Sequence, residues 1–201
     1  MITKKILALL LLSFSLFSAE KVTILCLGDS LTAGFGLAKE EAFPDLLEEK
    51  FKKNGQKAKV INAGVSGNTS AGGLRRLNWY KKVNFDIVIL ALGANDGLRG
   101  LKISETEKNL EAIIIKLRKM KPEVKVILAG MQVPPNMGAQ YTEDFRRIYP
   151  KLAKKLKIEL VPFLLEGVAG KKGLNLADGI HPNTEGHKVI VQNIWQVMKG
   201  L

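Results

Sequence analysis

The chain has 201 residues, 46% of them hydrophobic and 25% charged, which is ordinary globular usage. That length buries a core without disulfides or metal, and with no low-complexity tract it excludes a stapled mini-protein and a disordered or collagen-like chain. Lysine and arginine total 31 against 19 carboxylates, a net charge of +12, but 25 of the cations are lysines scattered along the chain and aromatics are only 6%. Nucleic-acid readers gather arginine and aromatics on one face, so the balance describes a solvated basic surface, able at most to touch anionic lipid peripherally, with no nucleic-acid partner. A single cysteine, Cys26, excludes an internal disulfide framework.

The chain opens with Lys4 and Lys5, an apolar run over 6–17 broken only by Ser13 and Ser15, and then Ser18 and Ala19. A basic start, a short apolar stretch and small residues predict a secretory signal peptide over 1–19, and hence a periplasmic or secreted protein. The run is shorter than the ~20 residues that span a bilayer. Phe17 stands where a small residue is preferred, which keeps an uncleaved anchor as the competing reading. Cleavage after Ala19 removes Lys4 and Lys5 and lowers the net charge to +10.

No Pro, Ser or Gly-rich linker divides residues 20–201, so one domain is expected. The run 22–27 is apolar but for Thr23 and ends at a glycine, as a strand buried on both faces does. Residues 41–53 follow as a helix, with Phe43, Leu46, Leu47 and Phe51 at helical spacing, Pro44 in the first turn and Asn54-Gly55 as its stop. Strands are predicted over 59–62, 86–92, 124–129 and 158–161. Helices are predicted over 71–77, 104–121 (Ser104 and Glu107 forming a capping box), 141–156 and 183–198. Five strands alternating with helices imply a mostly parallel sheet covered on both faces, with ligands at the carboxyl ends of its strands.

Four motifs lie at those ends or before the last helix: Gly28-Asp29-Ser30-Leu31, Asn62-Ala63-Gly64, Gly93-Ala94-Asn95-Asp96 and Asp178-Gly179-Ile180-His181-Pro182. Acyl transfer by a serine needs a base to accept its proton and a third group to orient that base. Of the two histidines, His187 falls in the last helix beside Lys188 and is expected on its surface. His181 falls on a loop with Asp178 three residues before it, a spacing that lets a carboxylate hold one ring nitrogen and leave the other facing a nucleophile. Ser30, where a buried strand turns toward a helix, is either that nucleophile or a serine satisfying backbone donors in a turn. Ser66 misses the Gly-x-Ser-x-Gly elbow, because Asn68 stands in place of the last glycine. Gly64, with no Cβ to obstruct its N–H, and the Asn95 amide suit an oxyanion hole. Asp29, Asn68 and Asp96 stay open between turn support and direct assistance.

Ser30, Gly64, Asn95 and His181 together resemble the SGNH or GDSL hydrolase family, and the likeness runs over the whole chain after the leader. The stretches 93–100, 149–153 and 178–183 look like its secreted thioesterase I, lysophospholipase and arylesterase branch. The resemblance implies a three-layer α/β/α, flavodoxin-like fold and no metal; a monomer without cofactors, acting on a small acyl ester or thioester, is expected. It also implies roles: Ser30 as nucleophile, His181 as base and acid, Asp178 as its orienter, and the Ser30 N–H, the Gly64 N–H and the Asn95 side chain as oxyanion donors. Leu98 and the loop holding Met131, Val133 and Pro134 are expected to line an apolar acyl groove. The competing functions are a carbohydrate or peptidoglycan O-acetylesterase and a non-catalytic lipid-binding module.

Overall fold

The structure, a computed structural model, describes residues 21–199; the expected leader lies outside them. Five strands form one sheet: β1 (Val22–Gly28), β2 (Ala58–Gly64), β3 (Ile87–Ala91), β4 (Lys125–Ala129) and β5 (Glu159–Val161). Their order is β2-β1-β3-β4-β5 and every neighbouring pair is parallel. Both faces of such a sheet must be covered, and the apolar strands match that demand: every residue of β3 is buried, as are Leu25 to Leu27 of β1.

The helices are α1 (Ser30–Ala33), α2 (Phe43–Lys53), α3 (Ser70–Arg76), α4 (Ala94–Leu98), α5 (Ile103–Met120), α6 (Ala139–Leu156) and α7 (Thr184–Met198). Helices α2 and α7 pack on each other, as do α3 with α5 and α5 with α6, which makes the two outer layers. The chain leaves β1 toward β2 and later crosses back to β3, so the order reverses beside β1. Open parallel sheets bind ligands at that point. The sheet class and the long elements match the sequence expectation within a few residues at each end, while α1 and α4 are single turns too short for periodicity to reveal.

Local chemistry explains the boundaries. Helix α2 buries Phe43, Leu47 and Phe51, carries Pro44 in its first turn and stops at Asn54, before Gly55 at φ +72°. The helix begins two residues later than expected, because Glu41 ends a short 3₁₀ turn, Lys39–Glu41, and Ala42 is the cap. The expected capping box of α5 is absent: the helix begins one residue earlier, and Lys102 at its cap makes no side-chain bond. Glu107 instead pairs across to Lys151 of α6 at 2.7 Å. Helix α6 runs through Pro150, and beside it Tyr149 is fully buried and donates its hydroxyl to Leu92 O at 3.2 Å. That hydroxyl lies where a Cβ on Gly93 would stand, and Gly93 adopts φ +114° to start α4, so glycine is required there twice over.

Candidate active site

The site is built at the carboxyl ends of β1, β2 and β3. At the end of β1 a Cβ on Gly28 would strike the Thr32 side chain and Ala91 O, so only glycine lets the strand turn this tightly. Asp29 then caps α1, its Oδ1 accepting the Leu31 N–H at 3.0 Å, and Ser30 is the first helical residue. The turn places the hydroxyl at the sheet's edge, where His181 Nε2 meets Ser30 Oγ at 3.0 Å. His181 Nδ1 lies 2.7 Å from Asp178 Oδ2, and Asp178 Oδ1 accepts the N–H groups of Ile180 and His181 at 2.9 and 3.0 Å. Those bonds, from the His181 backbone first and then from its imidazole, hold the Asp178 carboxyl down at about 2. Phe35 covers one face of the imidazole, with ring centroids 4.4 Å apart. The structure thus brings Ser30, His181 and Asp178 into one chain of contacts from loops 148 residues apart.

Gly64 ends β2 beside α1, and a Cβ there would strike the backbone of Ala33. Its N–H donates to Asn62 Oδ1 at 3.0 Å. Asn95 Nδ2 donates to Asn68 O at 3.0 Å and stands 3.4 Å from Asp29 Oδ2. Two of the three expected oxyanion donors, the Gly64 N–H and the Asn95 amide, are therefore engaged at rest. Asp29 is almost wholly buried, and burial pushes its carboxyl up to about 6 against the opposing pull of the Leu31 N–H and Asn95. The three residues left open by sequence acquire distinct positions: Asp29 caps α1 and faces Asn95, the Asn68 carbonyl holds the Asn95 amide, and Asp96 ties α4 to α3. Asp96 does so by accepting from the Ser70 N–H at 2.8 Å and the Ser70 hydroxyl, with Thr106 Oγ1 at 3.3 Å.

Arg76 was missed by sequence reasoning. It is buried beneath the site and donates to Gly28 O at 2.7 Å, Asn68 Oδ1 at 2.8 Å and Tyr80 Oη at 3.1 Å. An arginine beside Arg75 at a helix end looks solvated in sequence, and only the contact to β1 sets it apart.

Two expectations are corrected. His187 is not a surface residue: it is 1% accessible, and its Nδ1 accepts the Phe43 N–H at 3.0 Å, joining α7 to the start of α2. Burial lowers its pKa to about 4. Met131 and Val133 do not line an open groove. Both are buried in the core cluster, and Val133 fills the space where a Cβ on Gly97 would project, beside Phe145. Leu98 and Pro134 are exposed. A cavity of about 630 Å³ opens at the far, amino-terminal end of the sheet between Val22, Ile87, Phe51 and Trp195, away from Ser30. Among the described residues no helix is long and apolar enough to cross a membrane.

Residues 26–189 match the GDSL-like lipase/acylhydrolase family model. The chain belongs to that family. It is 40% identical over 184 residues to the esterase TesA of Pseudomonas aeruginosa, covering 91% of this chain and 90% of that protein. It is also 40% identical over 183 residues to the thioesterase 1/protease 1/lysophospholipase L1 of Escherichia coli K12, covering 90% and 85%. The crystal structure of the psychrotrophic esterase EstA from Pseudoalteromonas sp., inhibited by monoethylphosphonate, superposes with a TM-score of 0.83 at 34% identity, over 89% of this chain and 97% of that one. Family membership and these relatives place the protein among the serine ester hydrolases.

Proposed function

We propose that the protein hydrolyses acyl esters and thioesters, including aryl esters, lysophospholipids and acyl-CoA, through an acyl-enzyme on Ser30. The observation that carries the reading is the contact chain from Ser30 Oγ through His181 to Asp178. Asp178 fixes the proton on Nδ1, which leaves Nε2 free to accept the seryl proton as Oγ attacks the carbonyl carbon. The same imidazole returns that proton to the leaving alcohol or thiol, and water then repeats the sequence to release the acid. The developing oxyanion is held by the Ser30 N–H, the Gly64 N–H and Asn95 Nδ2. Asn95 keeps its bond to Asn68 O and turns its second Nδ2 hydrogen to the oxyanion from Asp29 Oδ2, which it meets only at 3.4 Å, whereas the Gly64 N–H must be shared with or surrendered by Asn62 Oδ1.

Leu98 and Pro134 contribute the apolar acyl contacts, without Met131 and Val133. The apolar surround favours acyl chains over acetylated glycans. The leader over 1–19 directs the protein out of the cytoplasm.

A fluorophosphonate probe tests the nucleophile: it labels the wild-type protein and leaves Ser30→Ala unlabelled, while equal labelling of both overturns the assignment. A series of soluble esters tests the substrate class. Turnover rising from acetyl to medium chains supports it, and preference for acetyl groups overturns it in favour of a deacetylase.

A further inference from the structure

Seven large apolar side chains are exposed among the described residues, and five of them stand around Ser30: Phe35, Val65, Leu98, Leu101 and Ile180. Their placement follows from the fold. Phe35 donates its N–H to Ser30 O and lies on the imidazole; Ile180 adjoins His181. Val65 bonds Gly28 O on the β2 side, while Leu98 and Leu101 flank the site on the β3 side, the Leu101 N–H reaching Asp96 O. Neighbouring strands are about 4.8 Å apart, so these residues lie on both sides of β1 and over it. A single acyl chain lies along one line and covers one side. Apolar side chains exposed on both sides of β1 and over its end describe a rim, and a rim of this kind meets a surface.

The charges on the same loops say what sort of surface. Arg99 and Lys102 lie between and beside Leu98 and Leu101, and Arg99 Nη2 donates to Gly67 O at 3.0 Å, which draws the Val65 loop toward the α4 loop. Most carboxylates nearby are already engaged or buried: Asp178 by His181, Glu41 by Thr184 and the Ala38 N–H, and Asp29 and Asp96 in the interior. Glu40 is the exposed exception. The chain as a whole carries +12.

We propose that this rim docks the enzyme on an anionic lipid surface, the apolar side chains entering the acyl layer while Arg99 and Lys102 meet the headgroups, so that Ser30 works at the interface. The proposal rests on the acyl-hydrolase reading above and extends it from the substrate to the phase that holds it.

Co-sedimentation of the Ser30→Ala protein with phosphatidylglycerol vesicles, and separately with phosphatidylcholine vesicles, tests it without consuming lipid. Binding is expected on the anionic vesicles, weakened by salt. Leu101→Ser weakens it about ten-fold by removing one buried apolar side chain. Lys102→Ala weakens it about five-fold by removing one charge near the surface. Trp79→Ser, which removes the most exposed apolar side chain outside the rim, leaves it unchanged. No binding to either vesicle, equal binding to both, or binding abolished by Trp79→Ser and kept by Leu101→Ser each overturns the proposal; the last outcome points to a different face. Fluorophosphonate labelling of the protein with Ser30 intact separates failure of the docking from failure of the hydrolase reading.

Discussion

The two histidines lie six positions apart in the chain and in opposite physical surroundings. His181 stands on a loop, partly open, between a carboxylate and a hydroxyl. His187 is sealed in the interface of α2 and α7, with its Nδ1 spent on a backbone N–H and its ring stacked on Phe43 at 6.3 Å. A histidine serves as a proton shuttle only when one nitrogen is oriented and the other faces an exchanging partner. The same side chain, denied that second partner by burial, becomes a neutral hydrogen-bond acceptor whose protonation works against the fold.

Substitution of each histidine gives the widest separation. His181→Ala is expected to lower kcat by on the order of 10⁴-fold or more, with little change in melting temperature, because it removes the proposed base and leaves the core intact. His187→Ala turning out equally inactive while fully folded would break the comparison. Next in size is Asn95→Ala, expected to cost about 10²–10³ in kcat on a soluble ester, measured with KM in the same assay.

Stability against pH sharpens the contrast further. Because the folded pKa of His187, about 4, lies below the unfolded value near 6.5, the unfolded chain binds more protons in that window. Stability therefore falls as pH drops from about 6.5 to 4, by up to about 3 kcal/mol for this group. His187→Leu is expected to cost about 1–3 kcal/mol at neutral pH by leaving the Phe43 N–H without its acceptor, and to flatten the acid slope, as denaturant titrations at pH 7 and pH 5 would show. Asp29 runs the other way. Its folded pKa of about 6 lies above the usual 3.8, so it withdraws stability as pH rises from about 4 to 6. Asp29→Asn removes that opposing slope and makes the acid loss steeper, and an unchanged slope would show that Asp29 does not titrate in this range.

Much of this was legible because it follows from local pattern. The buried strands are runs of apolar residues, α2 is marked by its spacing, its proline and its Asn-Gly stop, and the strand-end motifs supply a complete set of groups for acyl transfer. What sequence concealed is what burial decides. His187 lies next to Lys188 and Glu185, which pair with each other in solvent, so its neighbours in the chain describe the wrong face of α7. Met131 and Val133 lie on a loop that turns back into the core, and no periodicity marks such a turn. The Asn62 amide bonds a backbone group two residues away, an ordinary local bond that matters only because Gly64 borders the turn holding Ser30.

Arg76 carries a consequence for motion. Its guanidinium bonds the end of β1 through Gly28 O and the loop after β2 through Asn68, and that loop's carbonyl holds Asn95 after β3. Three loops that would otherwise fray separately are clasped by one buried cation, so they should open as one cooperative unit. In amide hydrogen exchange, Leu31, Val65 and Gly97, protected by bonds within this cluster, would then share one opening free energy, and Arg76→Lys would release them to exchange at three different rates.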